Sequence, residues 1–271
     1  AAGVISGRIG YKVGLTVAPL GERPAVFLDF DGTLVDIAPE PDAIIVAPEL
    51  VPLLGRLAGG LEGALALISG RPVGDLDRFL APFAPTAFGL HGLERRPVPG
   101  GPIERAPRSP ALDRLRTRLL VSRLLTDGVT MEDKGSTIAV HYRAAPARGL
   151  VLAHQLRRMV AELSDLHLVE GKMVIEAKPR IGDKGTAVAD LLSLAPFAGR
   201  RPVFLGDDVT DEDAFRAVLA GGGVAVKVGQ GESLAPYRLP DVAAVHAWLG
   251  GLAASLGTAE DDGQGLQGAG R

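Results

Sequence analysis

The sequence predicts an α/β fold: a parallel-sheet core interrupted by a smaller α+β lobe. Three observations carry this reading. Continuous apolar runs at Ala25–Leu28, Ala64–Ile68 and Pro202–Leu205 read as strands buried on both faces, which parallel sheets favour. They alternate with stretches of helical periodicity, and strand–helix alternation implies right-handed crossovers between parallel strands. From Pro97 to Arg180 the rhythm changes, and Thr137–Arg143 alternates apolar and polar residues as an antiparallel strand does.

Each element follows from local pattern. Residues 1–23 lack periodicity and read as a loose N-terminal arm. Ala47–Ala58 repeats apolar residues at helical spacing and stops at Gly59-Gly60. The strand Ala64–Ile68 runs into Ser69-Gly70-Arg71-Pro72, a helix is expected over Val73–Leu80, and Thr86–Leu90 is a third short strand ending at His91-Gly92. Repeated prolines make Pro97–Pro110 loop-like. The lobe then comprises a helix over Ala111–Leu125, the strand Thr137–Arg143, a helix over Gly149–Leu163, and strands Leu166–Glu170 and Lys172–Lys178. Alternation resumes with the helix Asp183–Leu194, strand Pro202–Leu205, helix Asp211–Leu219, strand Gly223–Val228 and helix Val242–Leu252. The expected division is arm 1–23, core 24–107, insert 108–180, core 181–252 and a Gly-rich, acidic, flexible tail 253–271.

Composition narrows the function classes. The 271 residues contain no cysteine, which excludes disulfides, Cys-ligated zinc, iron–sulfur clusters and thiol catalysis. A cytoplasmic location is expected on that ground. The net charge of −3 carries no basic footprint, so no nucleic-acid partner is expected. No membrane span is expected either, because no apolar run is long enough. Val13–Leu20 is apolar but short and contains Pro19, which argues against a signal peptide. Lysine is scarce, with six against 23 arginines, and Lys134, Lys172, Lys178 and Lys184 fall in one middle stretch.

The sharpest chemical signal is Asp29-Phe30-Asp31-Gly32-Thr33-Leu34. Its two carboxylates stand at the C-terminal end of the first buried strand, where open α/β sheets bind ligands. Alternate strand residues share a face, so Asp29 and Asp31 point the same way unless the chain has already turned. Gly32 permits a sharp turn and Thr33 adds a hydroxyl. Asp207-Asp208-Val209-Thr210-Asp211-Glu212-Asp213 follows another strand and offers oxygens to a hard cation such as Mg²⁺. Ser69 and His91 end two further strands, and Lys184 opens a helix, where ammonium and helix dipole both attract phosphate. Blander roles stay open at several positions. Asp-x-Asp after a strand also makes a helix cap or turn, Ser69 also caps a helix, and Asp211 and Asp213 also suit a helix N-terminus by charge. His91 is read as structural at its turn, not as a proton carrier.

This set resembles the haloacid dehalogenase superfamily. The first motif is matched at Asp29–Leu34, the second at Ser69, the third at Lys184 and the fourth at Gly206-Asp207-Asp208 through Asp211. Ile68-Ser69-Gly70-Arg71, Gly89-Leu90-His91-Gly92, His141-Tyr142-Arg143, Glu176-Ala177-Lys178-Pro179 and Leu205–Glu212 are further similar to the trehalose-6-phosphate phosphatases within it, over about residues 24–250. The resemblance implies a Rossmann-like core with an inserted α+β cap domain and a small-molecule substrate, trehalose 6-phosphate. It implies Asp29 as nucleophile, Asp31 as acid and base, and Ser69 and Lys184 on the phosphoryl oxygens. Mg²⁺ would be held by Asp29, the Asp31 carbonyl and Asp207, supported by Asp208 or Asp211. Thr33, Arg71, His91, Glu132, Lys134, Arg143, Lys172, Glu176 and Lys178 would bind substrate. For the charged residues of the insert, a solvated face with salt bridges is the competing account. A monomer is expected. Another sugar phosphatase or a phosphomutase of the superfamily would share this core and differ in the insert. A non-catalytic sugar-phosphate-binding module would be expected to lack Asp29 or Asp31, and both are present.

Overall fold

The computed structural model describes residues 12–13, 20, 23–40, 42–107, 109–163, 165–180 and 182–261. Most of the predicted arm and residues 262–271 of the predicted tail lie outside the described residues. In order, the elements are β1 (Lys12–Val13), β2 (Pro24–Leu28), α1 (Leu50–Gly60), β3 (Leu65–Ile68), α2 (Val73–Leu80), β4 (Thr86–Gly89), β5 (Glu94–Arg96), β6 (Glu104–Arg105), α3 (Pro110–Val121), β7 (Thr130–Asp133), β8 (Ile138–His141), α4 (Gly149–Ala161), β9 (Leu166–Gly171), β10 (Val174–Pro179), α5 (Lys184–Leu192), β11 (Arg201–Gly206), α6 (Glu212–Ala220), β12 (Val224–Val228), β13 (Tyr237–Leu239) and α7 (Val242–Asp261). The chain divides into two compact units, Ala1–Ile103 with Asp183–Arg271, and Glu104–Gly182.

The first unit is built on a sheet that runs β1-β13-β12-β11-β2-β3-β4-β5. All its pairs are parallel except β4 with β5. The central strands are continuous apolar runs because both faces are covered, and every residue of β2, β3 and β12 is buried. Helix α1 buries Leu50, Leu53, Leu54 and Leu57, the spacing of one helical stripe. Helix α5 starts at the Asp183 carboxylate, which accepts a 2.6 Å bond from the Thr186 amide. In register, Leu28 lies opposite Leu205 on one side and Leu67 on the other. The residues that follow these three strands, Asp29, Asp207 and Ser69, are therefore delivered to one edge of the sheet.

Two expectations at the chain ends need correction. Part of the predicted loose arm, Lys12–Val13, is a strand parallel to β13. The last helix does not stop at Leu252 but runs to Asp261, taking in residues 253–261 of the predicted flexible tail. Leu252, Ala253 and Leu256 pack against the core cluster, and Leu256 lies where a Cβ on Gly60 would stand. Burial of that stripe outweighs the low helix propensity of Gly250, Gly251 and Gly257.

The second unit has an antiparallel sheet in the order β7-β8-β10-β9. Ile138, Val140, Ile175 and Ala177 point to one face and join Leu112, Leu115, Leu152 and Leu156 of α3 and α4 in a separate apolar cluster. The opposite face carries Glu132, Ala139 and Glu176 in one row across neighbouring strands. No helix among the described residues is long and apolar enough to cross a membrane.

Candidate active site

The segment after β2 turns at once. The Phe30 carbonyl accepts from the amides of Thr33, Leu34 and Val35, and the Gly32 amide donates to the Val35 carbonyl at 2.7 Å. Gly32 has φ of 74°, and a Cβ there would stand 2.0 Å from Oδ2 of Asp207. Glycine is needed for both the left-handed backbone and the close approach of a carboxylate. Thr33 is fully buried, and its Oγ1 has no hydrogen-bond partner among the described residues.

Asp29, Asp207 and Asp211 converge beside this turn, each offering a carboxylate oxygen within 4.8 Å of the others. Lys184, 3 % exposed, donates from Nζ to Asp29 at 2.7 Å and to Asp211 at 2.6 Å. Burial pushes the Asp29 carboxyl well above its ordinary range; Lys184 opposes this, while Asp211 and Asp207 reinforce it. Burial and the neighbouring Asp211 and Asp208 charges raise Asp207 to about 6. Burial works against the Lys184 ammonium, but Asp29 and Asp211 outweigh it and hold its pKa above the usual lysine value. Asp29, Asp207 and Asp211 outnumber Lys184 and the neighbouring Lys227, which leaves negative charge in a buried place. An all-oxygen donor set of this size and charge suits a hard divalent cation, so the residues fit the metal that the resemblance implies.

The other acids have different duties. Asp31 is held in a two-pronged pair by Arg71, Nε to Oδ2 at 2.7 Å and Nη2 to Oδ1 at 2.8 Å. The guanidinium lies 5.8 Å and 5.2 Å from the ring centres of Phe30 and Phe79. Asp208 is outside the convergent trio. Its carboxylate caps the turn Val209–Asp211, and its amide donates to Asp211 Oδ2 at 2.9 Å. Asp211 thus lies with Asp29 and Asp207 in the convergent trio, while the bonds of Asp208 stay within the turn. Ser69 is buried and its Oγ accepts from the Arg71 amide at 3.1 Å. This is a bond within its own loop rather than a helix cap. His91 has φ of 57° and places its ring against Gly70.

A family model described as trehalose-phosphatase matches residues 27–243, a span holding Asp29, Ser69, Lys184 and Asp207. The chain belongs to the trehalose-phosphatase family. The trehalose-6-phosphate phosphatase of Escherichia coli (strain K12) is 41% identical over 237 residues, covering 87% of this chain and 89% of that protein. The solved C-terminal domain of the Candida albicans trehalose-6-phosphate phosphatase aligns with a TM-score of 0.69 at 23% identity, over 86% of this chain and 92% of that one. A Bacteroides thetaiotaomicron phosphatase of the haloalkanoate (HAD) enzyme superfamily shares the fold at a TM-score of 0.58 and 16% identity, over 89% and 98% of the two chains.

In this trehalose-phosphatase family member the insert's charged residues fall into two groups. Glu176 accepts from Thr137 at 2.7 Å and pairs with Lys178 at 3.1 Å and Lys134 at 3.4 Å. Burial would raise its pKa, but Lys178 and Lys134 outweigh that and bring it to about 2. Glu132 lies within β7 and pairs with His141 at 2.9 Å. Arg143 and Lys172 are exposed near the other end of the sheet, where the Tyr142 amide meets the Met173 carbonyl.

Sequence reasoning missed two buried charges beside the core site. Lys227 donates from Nζ to the Asp207 carbonyl. Its signal was a lone ammonium in the otherwise apolar β12. Glu94 accepts from the Val73 amide at 2.9 Å. It lies two residues beyond the Gly89–Gly92 motif, with no local pattern to announce it.

Proposed function

We propose that the protein hydrolyses trehalose 6-phosphate to trehalose and inorganic phosphate, with Mg²⁺ as cofactor and a phosphorylated Asp29 as intermediate. The observation that carries this reading is the buried Asp29 carboxylate, held by Lys184 beside Asp207 and Asp211. Asp29, Asp207 and Asp211 would hold the ion, with the Asp31 backbone carbonyl as the further ligand that the family resemblance implies. A divalent cation there offsets the repulsion between a carboxylate and a phosphate dianion, which at contact distance amounts to several kcal/mol.

An Asp29 oxygen forms a bond to phosphorus as the bond from phosphorus to the sugar oxygen breaks. Asp31 gives that departing oxygen its proton. A water then attacks phosphorus and passes a proton to Asp31, and phosphate leaves with Asp29 regenerated as a carboxylate. Ser69, Lys184 and the Thr33 hydroxyl stabilise the phosphoryl oxygens as charge spreads over them. Arg71 and His91 line the same end of the sheet and complete the phosphoryl pocket.

Trehalose is neutral and rich in hydroxyls, so recognising it calls for fixed donors and acceptors. Glu132, Lys134, Arg143, Lys172, Glu176 and Lys178 supply them, and charge-assisted bonds to hydroxyls are stronger than neutral ones. The test is phosphate release from a panel of sugar phosphates, with and without excess chelator. Preference for trehalose 6-phosphate and loss of release in chelator are expected. Undiminished release in chelator removes the metal from the mechanism, and preference for another sugar phosphate reassigns the substrate.

A further inference from the structure

The β4–β5 hairpin is antiparallel beside the parallel run from β1 to β4, joining Ala87 to Arg96, Phe88 to Arg95 and Gly89 to Glu94. Its connection is unusual. Leu90, His91 and Gly92 have φ of 49°, 57° and 103°, three successive residues in the left-handed region. Two of them carry side chains, and such backbone persists only where its surroundings over-determine it.

Those surroundings are the loop that carries Ser69 and Arg71. The Leu90 amide donates to the Arg71 carbonyl and the His91 amide to the Ser69 carbonyl, both at 2.9 Å; the Ser69 amide donates back to Phe88 at 3.0 Å. The two backbones touch without side chains between them. A Cβ on Gly89 would lie 2.6 Å from the Arg71 carbonyl oxygen, and one on Gly70 would lie 2.8 Å from the His91 ring. Glu94, 6 % exposed, completes the attachment. Helix α2 begins after Pro72 with no side-chain cap of its own, and the Glu94 carboxylate takes the Val73 amide. A negative charge there also favours the helix N-terminus. The loop is thus tied down at both ends, and Arg71, between the ties, delivers both prongs of its guanidinium to Asp31.

We propose that the hairpin is a brace on the Ser69–Arg71 loop, and that Glu94 is a positioning residue that aims the Asp31 carboxylate through Arg71. The inference deepens the phosphatase reading above and rests on Asp31 as the acid of that reaction. The physical consequence is selective. A sugar alkoxide leaves poorly without a proton, so a misaimed Asp31 slows its departure. A nitrophenolate leaves readily and needs little help. Because kcat/KM reports the steps up to loss of the leaving group, it separates this effect from hydrolysis of the phosphorylated Asp29.

The test compares wild type, Glu94→Ala and Glu94→Gln on trehalose 6-phosphate and on 4-nitrophenyl phosphate. Glu94→Ala is expected to lower kcat/KM about 10- to 100-fold on the sugar phosphate, part of what general acid catalysis supplies, and at least about fivefold less than that on the aryl phosphate, which shares the phosphoryl contacts but not the need for an acid. Glu94→Gln keeps an acceptor for Val73 and is expected to restore the sugar phosphate to within about threefold of wild type. Equal losses on both substrates, or none on either, overturn the brace. Should Glu94→Ala fail to fold, Glu94→Asp keeps the buried charge but draws it back from the Val73 amide, and the same split is expected in smaller measure. Solvent exchange of the Arg71 Nε proton, assigned by its loss in Arg71→Lys, reads the brace without catalysis. It is expected to quicken at least about tenfold in the loosened variant, and unchanged exchange overturns the proposal. Wild-type protein inert toward trehalose 6-phosphate would strike the activity reading instead, and the exchange measurement would still decide the brace.

Discussion

Replacing Lys184 with methionine removes the ammonium but keeps the length and much of the volume of the side chain. The ammonium bonds Asp29 at 2.7 Å and Asp211 at 2.6 Å in a place almost closed to water. At those distances each attraction is worth about 6 kcal/mol at an effective dielectric near 20, before the cost of burying the ammonium is subtracted. The net loss is smaller, about 3–5 kcal/mol, because the remaining carboxylates are left buried without their cation. For a chain of this size that corresponds to a melting temperature lower by roughly 6–20 °C. The deficit has two signatures that a packing defect lacks. Asp29 already has a raised pKa from burial, and losing Lys184 removes the main charge opposing that shift. A carboxyl whose folded pKa lies above its unfolded value binds more protons when folded, so the variant should recover stability as pH falls toward 5. Divalent metal should also stabilise the variant more than wild type, since the site without its ammonium is more negative by one charge. The assay is thermal unfolding in chelator from pH 5 to 8, repeated with excess Mg²⁺. A deficit under about 1 kcal/mol at neutral pH, or one independent of both pH and metal, would refute the charge argument.

Asp29→Asn keeps the shape of the nucleophile and removes its attacking charge. Turnover should fall at least about 10³-fold, some 4 kcal/mol of barrier, with the circular dichroism spectrum retained. Near-normal turnover in that folded variant would reassign the nucleophile. In the insert, Lys178 and Lys134 overcome the burial of Glu176 and lower its pKa from 4.5 to about 2. A lowered folded pKa means stabilisation present above the unfolded value and lost as pH falls through the folded one. Glu176→Gln should therefore cost roughly 3 kcal/mol at neutral pH, with the gap to wild type closing between about pH 5 and 2; a gap that does not close would assign the loss to packing.

How legible each part was depends on what holds it. The strands β2, β3 and β11 were readable because burial on both faces writes a continuous apolar run into the chain. Helix α2 was placed at Val73–Leu80 because Pro72 fixes its start and Val73, Leu76 and Leu80 mark one buried stripe. β5 was not readable. Its residues are Glu94-Arg95-Arg96, and it is a strand because Arg96 finds Asp77 and the Pro85 carbonyl while Glu94 finds the Val73 amide. β7 reads Thr-Met-Glu-Asp, a pattern with one apolar residue, and its pairing with β8 supplies what composition does not. The reach of α7 past Leu252 came from the core surface under Ala253 and Leu256, which no local window contains.

The same division runs through the site. The sequence by itself determined that Asp29, Ser69 and Asp207 follow buried strands and that Lys184 opens a helix, because strand ends and helix starts are local events written in adjacent residues. It also determined the need for Gly32, since a turn this sharp leaves its mark in residue type. Only the tertiary structure decided that Asp211 rather than Asp208 meets Asp29 and Asp207, that Lys184 bridges two of those acids, and that Arg71 holds Asp31. The reason is distance along the chain. Lys184 and Asp29 are 155 residues apart, and Arg71 and Asp31 are 40 apart. Whether two such groups meet at hydrogen-bond length depends on strand order, register and side-chain direction together, and those are set by the packing of the whole sheet, not by any stretch of it.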